Sequence, residues 1–135
     1  MNLYIDTRES QAIKELNNTE YNVIPLDIGD FQIKSVGDTF VIFERKLLSD
    51  LLSSIKDGRY KEQSLRLNSH SLENHKIYYI IEGNIEKHIK KDLIYSTLFS
   101  LSYKKGFSVI CPNGINETCK VITKFLLRLK HEKKK

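Results

Sequence analysis

Two acids and a lysine, spaced for a strand hairpin, are the part of this 135-residue sequence best equipped for chemistry. Asp30 follows Gly29, and a stretch of alternating apolar residues later come Glu44-Arg45-Lys46 and then Asp50. In a strand over Thr39 to Lys46 side chains alternate, so Glu44 and Lys46 share one face and Arg45 takes the other. Asp30 opens the strand paired with that one across the hairpin, which carries its carboxylate toward Glu44. Asp50 falls one turn beyond Lys46 on the next helix, opposite a leucine stripe, and is expected to face the same spot. Asp6, ending the first strand, and Glu9 just after it are candidates for the rim. Carboxylates gathered this way repel one another, and burying one unpaired is costly, so a cation is expected among them. Oxygen donors, with no cysteine or histidine pair beside them, favour Mg²⁺ or Mn²⁺ over zinc. Such an ion coordinates a phosphate oxygen, acidifies a bound water and stabilises a leaving oxygen, while Lys46 orients the water or offsets charge at phosphorus. The chemistry is phosphodiester hydrolysis.

The elements that must position these groups follow from the hydrophobic pattern. Leu3 to Asp6 alternates as a strand, and Ala12, Ile13 and Leu16 recur at helical spacing up to Asn17-Asn18. Further strands are expected over Tyr21 to Leu26, Asp30 to Val36 and Thr39 to Lys46, the last two joined as a hairpin at Gly37-Asp38. At Lys46 the period changes: Leu47, Leu48, Leu51, Leu52 and Ile55 form a buried helical stripe stopped by Asp57-Gly58. A helix over about Arg59 to Leu67 and a polar loop from Asn68 to His75 come next. Lys76 to Glu82 is apolar almost throughout, as a central strand covered on both faces would be. A helix marked by Ile94, Leu98 and Leu101, a strand from Phe107 to Cys111, and a terminal helix carrying Val121, Ile122, Phe125, Leu126 and Leu129 complete the chain. The expected order is β-α-β-β-β-α-α-β-α-β-α. It forms one domain over 1–130 with a basic tail at 131–135.

An acid, a hairpin and then Glu-x-Lys resembles the active-site pattern of restriction-endonuclease-like nucleases, with their α/β fold of a central mixed sheet flanked by helices. Gly29-Asp30, Phe43-Glu44-Arg45-Lys46-Leu47-Leu48-Ser49-Asp50-Leu51 and Asp57-Gly58-Arg59 more closely resemble the XPF family of structure-specific endonucleases, whose signature reads GD, a spacer, ERK, three residues, D. Ile5-Asp6-Thr7-Arg8-Glu9 is similar to that family's first strand. The resemblance implies cleavage of branched or flapped DNA in repair or recombination. It also implies Asp30, Glu44, Asp50, Asp6 and Glu9 as metal-site acids, with Lys46 as base or charge stabiliser. Arg45 would offer its backbone carbonyl or a side-chain contact, and Arg8, Arg59, Gln63 and Arg66 would buttress the acids or touch phosphates. The family's cellular members work as dimers and carry a tandem helix-hairpin-helix module that nothing after Leu129 is expected to form. The implied location is intracellular: the nucleus or another site of DNA replication and repair, or the cytoplasm for a prokaryotic or cytoplasmic viral source.

Composition agrees with these expectations. Lys and Arg total 22 against 17 acids, a net charge of +5, which suits a nucleic-acid partner. Apolar runs fall far short of the roughly 20 residues of a membrane helix, no signal-peptide pattern opens the chain, and two cysteines make no disulfide framework. Other features have ordinary readings. Lys120, Lys124 and Arg128 read as a solvated helix face, Cys111 as a small buried group, and Tyr78, Tyr79, Tyr95 and Phe99 as core. Ile94, Leu98, Leu101, Phe125, Leu126 and Leu129 could serve both core and dimer interface. Two other functions fit the same features: a non-catalytic dimerising DNA-binding subunit, and a phosphodiesterase acting on RNA or small nucleotides.

Overall fold

The computed structural model describes residues 1–16, 20–57 and 72–134. Its elements are β1 (Asn2–Asp6), α1 (Ser10–Glu15), β2 (Asn22–Ile24), β3 (Phe31–Ser35), β4 (Asp38–Leu47), α2 (Leu48–Asp57), β5 (Ile77–Glu82), α3 (Lys91–Phe99), β6 (Ser108–Ile110) and α4 (Ile115–Lys134). A short 3₁₀ turn, Asn74–Lys76, leads into β5, and α3 runs on as a π-helical turn over Ser100–Lys104. The helix expected over Arg59 to Leu67, and with it Arg59, Gln63 and Arg66, lies outside the described residues. The terminal helix runs to Lys134, so residues 131–134, expected as a tail, continue α4.

The six strands form one mixed sheet in the order β2-β1-β3-β4-β5-β6. β3 and β4 are the expected antiparallel hairpin, with Ser35 opposite Asp38. Their two-residue turn places Val36 at φ 44° and Gly37 at φ 84°, the double positive φ that matches the strands' twist. β4, β5 and β6 run parallel, so helical crossovers lie between them.

Alternation along the strands divides the core into two layers. Leu3, Ile5, Phe31, Ile33, Val41, Phe43 and Ile80 face one side, where they pack with Ala12 and Leu16 of the α1 segment and with Cys119, Ile122 and Leu126 of α4. Ile42, Ile77, Tyr79 and Ile81 face the other, against Leu48, Leu51, Ile94 and Leu101. Each strand therefore continues, at the end where β4 and β5 finish, into polar residues already assigned a side by the pleat. Asp6, Asp30, Glu44 and Lys46 belong to the α2/α3 side, and Arg45 and Glu82 to the α1/α4 side.

Three surface expectations are corrected. Cys111 is exposed, because the last strand stops at Ile110. Tyr79 is buried and Tyr78 packs edge-on to Phe125 at 5.0 Å, but Tyr95 and Phe99 are exposed. Ile94, Leu101 and Leu126 are wholly committed to the core, whereas the exposed apolar positions of α3, its π-helical end and α4 are Leu93, Tyr95, Phe99, Tyr103 and Leu127. Lys120, Lys124 and Arg128 do face solvent.

Candidate active site

Backbone hydrogen bonds draw the ends of β1, β3 and β4 together. The Asp6 N–H donates to the Asp30 carbonyl at 2.9 Å, and the Asp30 N–H donates to the Phe43 carbonyl at 2.8 Å. Gly29 makes this approach possible: it has φ +74°, and a Cβ there would lie 2.5 Å from Ile42 Cγ2 and 3.1 Å from the Phe43 carbonyl oxygen. Asp30 is thus carried into place by backbone that only glycine adopts without strain.

The Asp30 carboxylate accepts the Arg45 backbone N–H through Oδ2 at 2.8 Å. Burial pushes its pKa up, opposed by that N–H and by the Lys46 and Arg8 charges, while the Asp6 charge raises it further. Glu44 is buried, and its Oε1 lies 4.0 Å from the Lys46 ammonium. Strand alternation thus places Asp30, Glu44 and Lys46 on one side of the sheet.

Asp6 and Arg8 lie next to Asp30. Asp6 Oδ2 accepts from Arg8 Nε at 2.7 Å and from the Arg8 N–H at 3.1 Å, and its Oδ1 accepts the Leu26 N–H at 2.8 Å. Burial works to raise the Asp6 pKa, but these donors and the Arg8 charge together hold it below the usual carboxylate value. The Arg8 side chain is 79% exposed. Asp6 thereby ties the loop after β2 to the end of β1.

Glu9 and Asp50 are placed differently from the expected single cluster. Glu9 Oε2 accepts from an Arg45 Nη at 2.9 Å, on the other side of the sheet from Glu44. Burial and the Asp30 charge drive its pKa to about 7 despite Arg45. Asp50 is exposed in the first turn of α2, where its charge complements the helix N-terminus.

Among the described residues no three carboxylate, imidazole or thiol groups stand close enough to enclose a metal ion. A pair of carboxylates still suits a hard cation. Mg²⁺ keeps several waters and is bound through one or two carboxylates plus substrate phosphates, unlike calcium or zinc in an all-protein cage. Asp30, whose Oδ2 takes the Arg45 N–H, and Glu44 would be such a pair, and their oxygen donors fit a hard cation.

Arg45, Glu82 and Thr118 were not legible as a unit in the sequence. The Arg45 guanidinium donates to Glu82 through Nε at 2.7 Å and through an Nη at 2.8 Å, and also to Gln11 at 3.2 Å. The Thr118 hydroxyl donates to the same Glu82. The only sequence signal was an acid ending an otherwise apolar strand.

Comparison with known proteins places the chain. Residues 5–125 match the model of the ERCC4 domain. The chain belongs to the ERCC4 domain family. It is an XPF-type nuclease domain, and its six-stranded mixed sheet flanked by helices is the restriction-endonuclease-like fold. This ERCC4 domain is 30% identical over 137 residues to the crossover junction endonuclease MUS81 of Arabidopsis thaliana, covering 86% of the chain and 20% of that protein. It is 30% identical over 157 residues to the crossover junction endonuclease mus-81 of Neurospora crassa, covering 95% of the chain and 24% of the relative. The chain thus spans about a fifth to a quarter of those curated relatives. Among solved structures, XPF from Aeropyrum pernix superposes with a TM-score of 0.78 at 27% identity, covering 97% of this ERCC4 domain and 65% of that chain. The same protein in complex with DNA gives 0.76 at 28% identity.

Proposed function

We propose that this chain is the catalytic domain of a Mg²⁺- or Mn²⁺-dependent endonuclease that hydrolyses phosphodiester bonds in branched or flapped DNA during repair or recombination. The observation that carries the reading is the placement of Asp30, Glu44 and Lys46 on one side of one sheet end, within an ERCC4 domain. Asp30 and Glu44 would hold the ion. When bound, the ion supplies charge neutralisation at a phosphate oxygen and a more acidic water.

The chain's own groups do the rest. The Arg45 N–H anchors Asp30 through Oδ2 and so sets the direction of its carboxylate. Lys46, 83% buried and beside Glu44, is a charge held in low dielectric, where it counts for more than in water. It orients the attacking water or offsets charge on the phosphorus oxygens. Arg8, anchored by one nitrogen on Asp6 and otherwise open to solvent, meets the phosphate backbone outside the reacting bond.

The domain would act as a dimer with itself or a related subunit. Tyr95, Phe99 and Tyr103 recur every fourth residue along α3 and its π-helical end, all exposed, with the Phe99 and Tyr103 rings stacked at 5.1 Å. An apolar row of this kind on a surface marks an interaction site. Among the described residues no helix is long and apolar enough to cross a membrane, and the place of action would be where DNA is replicated or repaired.

Cleavage of end-labelled 3′-flap, fork, nicked-junction and plain duplex DNA, with Mn²⁺, Mg²⁺ or EDTA and beside Asp30→Asn, tests this. Metal-dependent cutting near the branch, lost in the variant, is expected. Equal cutting by Asp30→Asn, or cutting of single-stranded RNA alone, overturns it.

A further inference from the structure

We propose that Glu82 and Thr118 are positioning residues that hold the metal-site carboxylates in place through Arg45, from the opposite side of the sheet. This inference rests on the nuclease reading above. Neither residue belongs to the stretch that carries the site chemistry: Glu82 ends β5 and Thr118 lies in the first turn of α4. Both are buried, with relative exposures of 3% and 0%.

The connection runs through one residue with two jobs. The Arg45 side chain is a fork clamped by both oxygens of Glu82, at 2.7 and 2.8 Å, and by Glu9 at 2.9 Å. Its backbone N–H, at the same Cα, is the donor to Asp30 Oδ2 at 2.8 Å. Its neighbours in the strand are Glu44 and Lys46, which the pleat sends to the side where Asp30 lies. Rotation of the peptide planes around Arg45 would therefore turn Glu44, Lys46 and the Asp30 donor together. The two-pronged salt bridge resists that rotation, because a guanidinium fork meets a carboxylate in one plane.

Thr118 decides where that plane is. Its hydroxyl donates to Glu82 Oε2, the oxygen that also accepts Arg45 Nε. The helix position of Thr118 is fixed by its own N–H on the Gly114 carbonyl. Glu82 is thus held by α4 and in turn holds β4, so the terminal helix is coupled to the metal site without touching it. Outer partners of this kind orient ligand side chains, and their loss costs roughly 10- to 100-fold in metal affinity or activity.

Thr118→Val keeps shape and removes the donor, Thr118→Ser restores it, and Glu82→Gln keeps one acceptor. The full chain and its variants are compared in three readouts: flap-DNA cleavage split into kcat and KM, Mn²⁺ affinity by calorimetry, and the melting temperature. Thr118→Val is expected to lower kcat about tenfold or more and to weaken Mn²⁺ by a similar factor, with KM for DNA nearly unchanged. Thr118→Ser regains most of both losses, which a packing defect alone would not allow. Glu82→Gln behaves as Thr118→Val or worse, and if it fails to fold the threonine pair carries the test. Folded Thr118→Val with wild-type kcat and Mn²⁺ affinity overturns the inference, as does Thr118→Ser remaining as impaired as Thr118→Val. A wild-type chain that cuts no DNA overturns the nuclease reading; the inference is then judged on Mn²⁺ affinity alone, standing if Thr118→Val weakens it and Thr118→Ser restores it.

Discussion

At the scale of single residues, the proposed site divides into groups that would meet the reacting phosphate and groups that would hold them. Asp30, Glu44 and Lys46 would be of the first kind, and none belongs to the apolar layers on either side of the sheet. Asp30→Asn, Glu44→Gln and Lys46→Ala should each reduce cleavage about a hundredfold or more, with the melting temperature within a few degrees of wild type. Steady-state cleavage beside thermal melts checks this, and retained activity in all three would move the site elsewhere. Glu9 is of the second kind and makes stability depend on pH. It pairs with Arg45 and feels the Asp30 and Glu82 charges, and its pKa rises from 4.5 to about 7 on folding. The folded chain keeps a proton that the unfolded chain gives up, so the resulting stability is full below about pH 4.5 and is lost as pH rises to about 7. Asp30, also raised, acts in the same direction, and Asp6, held low, acts only in acid. Glu9→Gln should flatten the curve, gaining on the order of 3 kcal/mol over wild type at pH 8. Denaturation at pH 5 and pH 8 measures it, and parallel curves for the two proteins would rule it out.

At the scale of elements, the hairpin is what turns separated residues into a site. Gly29→Ala would force a methyl into contact with Ile42 at a φ of +74°, costing roughly 1–3 kcal/mol and displacing Asp30 from the Arg45 N–H. Cleavage should fall even at low temperature, where the variant is fully folded, and full activity there would show that Asp30 tolerates the shift. The hairpin was legible in the sequence because its information is local: period-two alternation, a turn at Gly37 and the change of period at Lys46. The same alternation put Glu44 and Lys46 on one side. The partners of Arg45 were not legible, since Glu82 and Thr118 lie far along the chain and meet β4 only after β5 and α4 have packed. Glu9 was grouped with the other acids for a related reason: sequence nearness to Asp6 does not say which side of the sheet the loop after β1 will take. On α3 the reading failed at Tyr95 and Phe99 because an apolar residue at helical spacing looks the same whether it packs inward or faces solvent. There the buried positions are Ile94, Thr97 and Leu101.

At the scale of the whole molecule, the same aromatic row bears on assembly. Tyr95, Phe99 and Tyr103 are 47%, 51% and 81% exposed, a concentration of large apolar side chains that a solvent-facing helix has no reason to keep. A two-fold axis beside α3 would pair each row with its copy, since a self-complementary patch satisfies both subunits at once. Phe99 and Tyr103 lie outside both buried layers, so removing them leaves the fold intact and isolates association as the quantity that changes. Phe99→Ser with Tyr103→Ser should convert a concentration-dependent dimer into a monomer in sedimentation equilibrium, with the melting temperature at high dilution unchanged. The Lys46-centred site lies at the strand ends and shares no named residue with that row, so metal affinity should stay at the wild-type value in the monomeric variant. A double variant that sediments as the wild-type dimer would place the contact on another surface. A wild-type chain that is monomeric throughout would assign the row to a different subunit, and mixing with that subunit should then fail for the double variant alone.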